Sequence, residues 1–160
     1  MSTDPKREML RHTVATLAYR GGKAVRGAPE SFAIFRPSDT SRTPGQILAH
    51  IGDLLDWALS MAKGSEKWHN SEPNSWVGDV ERFHASLSRL DEYLASGEEL
   101  GATCERIFQS AIADSLTHVG QLAMLRRIAG DPIKGENYSK ADIRSGRVRA
   151  DQTKPQSEFD

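Results

Sequence analysis

Apolar residues recur every three or four positions in four separate stretches of this chain. Nowhere do they alternate with polar residues for long enough to line a β-strand. A chain patterned in this way has to bury its apolar stripes helix against helix. The first stretch, residues 5–24, carries Leu10, Val14 and Leu17 on one side, and the pair Gly21-Gly22 is expected to end or loosen it. A loop through Pro29, Phe32, Phe35 and Pro37 follows, its aromatic rings expected to lie on the helices.

The second stretch opens on the clearest local signal. Thr43-Pro44-Gly45-Gln46 sets a threonine at N-cap, a proline where the missing N–H costs nothing, and a glutamine at N3, which together predict a capping box. Behind it Ile47, Ile51, Leu54, Ala58 and Met61 form one stripe, closed by Gly64. Trp68 and His69 fall in a polar connection. The third stretch, residues 76–95, steps through Val80, Phe83, Leu87, Leu90 and Leu94 and stops at Gly97. The fourth, residues 101–128, has Ile107, Ala111, Leu122 and Leu125 inward. Arg126-Arg127 suit the negative end of its dipole, Gly130 is its C′ residue, and Pro132 forbids continuation. The fold class is therefore all-α, a four-helix bundle over residues 1–130. Residues 131–160 form a polar C-terminal extension, packed in part and disordered past Ala150.

The chain has 160 residues, one domain's worth. A formal charge of −1 argues against a nucleic-acid partner, because phosphate binding needs a basic surplus. The Lys140, Arg144, Arg147 and Arg149 cluster is diluted by Asp142 and Asp151. No apolar run approaches the length of a membrane span, and the first eight residues lack the apolar core of a signal peptide. The cytoplasm is the expected location. Cys104, the lone cysteine, reads first as a small buried hydrophobe and second as a reactive thiol.

Three polar residues fall on apolar stripes. His50 follows Ile47 by three and precedes Leu54 by four, which puts it on or beside the second stripe. Asp114 and His118 stack one turn apart on the face that carries Ala111, Leu122 and Leu125. An ionised aspartate on such a face needs a partner. Two imidazoles and a carboxylate converging from facing helices offer one remedy, a divalent metal with three protein ligands and open positions. The plainer reading is a core histidine satisfied by hydrogen bonds, with Asp114 holding an imidazole or a hydroxyl. His84 is a reserve ligand, and His12 and His69 read as surface residues. Ser110, Ser115 and Thr117 show no arrangement that singles out a nucleophile.

The segment Thr43-Pro44-Gly45-Gln46-Ile47-Leu48-Ala49-His50-Ile51 resembles the second helix of DinB-like (DinB/YfiT-type) metal-binding bundles, which brings one histidine. The segment Asp114-Ser115-Leu116-Thr117-His118-Val119-Gly120-Gln121-Leu122 is similar to their fourth helix, His-x-x-x-His followed by x-Gly-Gln-Ile/Leu. His118, Gly120 and Gln121 match that motif, whereas Asp114 stands where the family has its first histidine.

The resemblance covers about residues 5 to 130. It implies an up-down-down-up bundle with zinc or nickel at one end of the core, held here by His50, Asp114 and His118. The carboxylate shifts preference toward Mn²⁺, Fe²⁺ or Zn²⁺. It implies either a metal-dependent transferase or hydrolase, in which the ion takes a water or a low-molecular-weight thiol, or a non-catalytic bundle for a metal or small ligand. It further implies a homodimer, with exposed Trp57 and Trp76 wanting cover. The tail segment 137–144 is expected to fold back, bringing Tyr138 or Asp142 to the metal's open face.

Overall fold

The computed structural model of this protein describes residues 4–159. Four helices make up most of it. Helix α1, Pro5–Val25, starts where the Asp4 carboxylate accepts from the Lys6 N–H, with Pro5 at the first helical position. The glycine pair does not end it. Gly21 and Gly22 are buried inside the helix, and a Cβ at Gly21 would lie 2.5 Å from Phe83 Cζ. These glycines let α1 approach the third helix closely, a packing demand that overrides their low helix propensity.

Helix α2, Pro44–Ala62, has the expected capping box. Gln46 N–H donates to Thr43 Oγ1 at 3.2 Å, and Thr43 N–H donates to Gln46 Oε1 at 2.9 Å. Helix α3, Trp76–Ala95, is capped by Ser75. Trp76, expected to be exposed, is 3% exposed. Its ring meets Phe32 edge-on at 5.4 Å, and its backbone N–H donates to the Glu30 carboxylate, so the short 3₁₀ turn Glu30–Ile34 is what covers it. Helix α4 is one rod of three segments: Cys104–Ile107, a π-helical turn Phe108–Ile112, and Ala113–Ile128.

Helix α1 packs on α3 and α4, and α2 packs on the same two, so α1 and α2 lie diagonally across the core. Phe83, Leu17, Leu48, Ile51, Leu87, Ile112 and Leu122 fill the space between them. Among the described residues no helix is long and apolar enough to cross a membrane.

The C-terminal segment corrects the sequence reading. It stays ordered past Ala150 and ends in strand β2, Glu158–Phe159, paired antiparallel with β1, Gly135–Glu136. The anchor is electrostatic. Lys23 is buried on α1, and its ammonium donates to Glu136 and to Glu158, each at 2.9 Å, while the Tyr19 hydroxyl donates to Glu136 at 2.7 Å. A lysine held in an apolar wall has to find carboxylates, and the tail supplies them. Burial and the Glu136 carboxylate push the Tyr19 phenol pKa up. Val148 completes the seam as a buried core residue.

Candidate metal centre

Each donor of the centre is placed by helix geometry. His50 lies in the second turn of α2, and Asp114 and His118 lie one turn apart on α4. After the π-helical turn the line of burial on α4 runs through Ala111, Ser115, Val119 and Leu122. Asp114 and His118 therefore sit one position to its side, which corrects their expected place on the inward face. Ser115 occupies the core line instead and satisfies its hydroxyl on the Ala111 carbonyl. The Asp114 side chain is 46% exposed, against 23% for His50 and 12% for His118, so the carboxylate caps the two rings from the solvent side.

One donor atom from each residue comes within 4.8 Å of the other two. Asp114 Oδ2 is 3.5 Å from His118 Nε2 and 3.7 Å from His50 Nε2, at or beyond the limit of a hydrogen bond. Two ligands about 2.0–2.1 Å from a tetrahedral ion stand about 3.4 Å apart, so the two carboxylate-to-ring separations suit an ion better than direct contacts. The two imidazoles meet edge to face, with ring centres 4.8 Å apart. Thus His50, Asp114 and His118 can hold one metal ion.

The surroundings favour that chemistry. The His118 Nδ1 lies 2.8 Å from Gln121 Oε1, an oxygen that only accepts. With the ring proton on Nδ1, donated to that oxygen, Nε2, the atom facing Asp114, keeps its lone pair for a metal. His50 titrates below the ordinary imidazole range: burial is the main cause, His118 and Arg42 add to it, and Asp114 opposes it. Its ring is neutral at neutral pH, the form a metal requires. A cavity of about 530 Å³ opens beside the rings, with Ser41, Arg42, Ile47, Gln121, Met124 and Leu125 in its wall.

The connection between α2 and α3 closes the other flank. Trp68 packs its edge on His50 with centres 5.7 Å apart, and Trp57 packs on Trp68 at 5.6 Å. Trp57 is thus half-buried against its own chain rather than exposed, while Trp68 is 40% exposed. Neither Trp68 nor Arg42 carried a periodic signal in the sequence. Gln121, three residues after His118, was accessible through helical spacing alone.

Other expected participants lie elsewhere. His84 is set against Phe83, its Nδ1 is buried without a hydrogen-bond partner among the described residues, and it belongs to the seam under the tail. Tyr138 stacks on Tyr19 and under Arg20, and Asp142 pairs with Arg144 and Arg147, so neither reaches the cavity beside His50. Cys104 is half-buried among Lys6, Met9 and Phe108, and burial together with Asp4 and Glu105 pushes its thiol pKa up. That is the opposite of an activated thiolate. No family model, curated protein or solved structure matches the chain.

Proposed function

We propose that this chain is a DinB-like cytoplasmic bundle, its four helices in up-down-down-up order, that holds one divalent ion on His50, Asp114 and His118. The ion's remaining positions face a small molecule in the adjoining cavity. The observation that carries this reading is the convergence of three metal-type donors within 4.8 Å, with no hydrogen bond closing the carboxylate onto either ring. The helix order is supported by the diagonal placement of α1 and α2 and by the long connection between them.

Two nitrogens and one carboxylate oxygen suit Zn²⁺, Ni²⁺, Mn²⁺ or Fe²⁺, with the carboxylate favouring the harder ions. A divalent ion in an open three-ligand site lowers the pKa of a bound water or thiol toward neutrality. The protein's part is positional. Gln121 orients the His118 ring, Trp68 shields His50, and Ile47, Met124 and Leu125 offer an apolar wall to the organic part of a substrate. The reaction class is transfer to or from a thiol, or hydrolysis by water.

A second reading, a non-catalytic metal- or small-ligand-binding bundle, is favoured by one observation. Apart from the two histidines, no side chain that lines the cavity among the described residues is an acid or a general base. The test purifies the protein without a histidine tag and measures bound metal in the wild type and in His118→Ala. One ion per chain in the former and almost none in the latter is expected; equal metal in both contradicts the site. Chelation separates the two readings. A structural ion raises the melting midpoint by several degrees through mass action, whereas an exchangeable catalytic ion raises it less and lets thiols bind.

A further inference from the structure

The cavity beside His50 and His118 has an uneven charge. Among the described residues Arg42 is the only permanently charged one that lines it, and no carboxylate does. The arginine is also uncommitted. Arg11, Arg82, Arg106 and Arg126 each hold a carboxylate, whereas Arg42 has no ion-pair partner among the described residues. It also lines a smaller cavity on the other side of His50, with Gln46, Asn70 and Glu72. The acids there do not neutralise it: Asp53 is taken by Ser71 and Arg82, and Glu72 forms no ion pair with it.

Two further positive contributions converge on the same spot. Arg42 immediately precedes the N-cap of α2, so the positive end of that helix dipole lies next to it. A dipositive ion balanced by the single carboxylate of Asp114 would leave surplus positive charge in the cavity wall. Beyond the arginine the lining becomes apolar, with Ile47, Leu125 and the 58%-exposed, adaptable Met124.

We infer that Arg42 is a specificity residue that selects a small organic anion, with a carboxylate or equivalent group paired to its guanidinium, an apolar body along Ile47, Met124 and Leu125, and a metal-binding group directed to the histidines. The inference rests on the proposed metal centre and names the substrate class of that same site. Guanidinium is suited to the task because its planar fork matches a carboxylate in two parallel hydrogen bonds.

The test uses the full chain loaded with zinc and two probes that differ only at the far end, 6-mercaptohexanoate and 6-mercaptohexan-1-ol. Thiolate is a strong zinc ligand, so both probes share the metal-binding end. Affinity is measured by calorimetry in the wild type, Arg42→Gln and Arg42→Lys, with zinc content determined for each sample. The carboxylate probe is expected to bind about tenfold tighter to the wild type, the scale of one charge-assisted contact. Arg42→Gln should abolish that preference with zinc content unchanged, and Arg42→Lys should keep part of it. Equal affinity for both probes in zinc-loaded wild type, or a preference that survives Arg42→Gln, overturns the inference and leaves the metal centre standing. A wild-type chain that takes up none of zinc, nickel, manganese or ferrous iron overturns the metal centre and the inference together.

Discussion

Helix α2 carries two polar residues less than one turn apart, and they meet opposite fates. Asp53, with a side chain only 2% exposed, is closed on every side: it accepts from Ser71 N–H at 2.8 Å, from the Ser71 hydroxyl at 2.6 Å, and from Arg82 at 2.8 Å. Arg82 reaches on to Asp56, which Ser86 and Arg89 also hold. His50, three positions earlier, faces a carboxylate and a second imidazole that stop short of hydrogen bonding to it. One cluster is charge-balanced and closed by its own chain; the other has donors, lone pairs and space. The difference separates polar residues that build the fold from polar residues prepared for a ligand.

The largest expected effect breaks the closed cluster. Asp53→Ala strands the Ser71 and Arg82 donors and should cost about 2–3 kcal/mol of stability in urea unfolding, with metal affinity unchanged once the protein is folded. A loss below about 1 kcal/mol would mean that the network is not the anchor described here. The converse substitution breaks the open cluster. His118→Ala should reduce metal affinity on the order of 100-fold while costing the metal-free fold less than Asp53→Ala does, since the bond to exposed Gln121 and the packing on His50 are lost but no buried charge is stranded. A large fall in apo stability would assign His118 to the fold instead.

A smaller effect sharpens the comparison. Gln121→Leu removes the acceptor that fixes the His118 ring and should weaken metal binding about tenfold. The unfolding midpoint should hardly move, because Gln121 is exposed.

The sequence carried the helices well and the tail poorly, for physical reasons. The capping box at Thr43-Pro44-Gly45-Gln46 is a local signal that needs no tertiary partner, and it stands as read. Gly21-Gly22 reads as an end or a loosening because propensity is local too, whereas the contact with Phe83 that accompanies the helical pair comes from a residue more than sixty positions away. The tail's order depends on Glu136 and Glu158 reaching Lys23, a charge match with no periodicity to reveal it. At the site, the i, i+4 spacing of Asp114 and His118 was legible on α4. Their shift to the edge of the core was not, because the buried line passes through Ser115, a polar residue that gives no apolar signal. Trp68 was invisible as a neighbour of His50 because irregular connections carry no period.

The smallest expected effect is on pH. His84 and His50 both titrate below the usual imidazole value of 6.5, chiefly because burial disfavours the charged ring. The fold favours their neutral forms, so their contribution to stability is complete above that value. It is lost as pH falls through 6.5 toward their lower folded-state values. Urea midpoints of the apo protein should drop between about pH 7.5 and about pH 5, and His84→Gln should flatten that drop. A midpoint that does not fall over this range would contradict the burial assigned to both rings.

The central claim is that three side chains from two helices converge on one ion. An anomalous-scattering map of crystals grown with the bound metal, recorded on both sides of its absorption edge, tests it most directly. A single peak in contact with His50 Nε2, His118 Nε2 and an Asp114 oxygen is the expected result. A peak coordinated elsewhere, or no peak there at saturating metal, would contradict it.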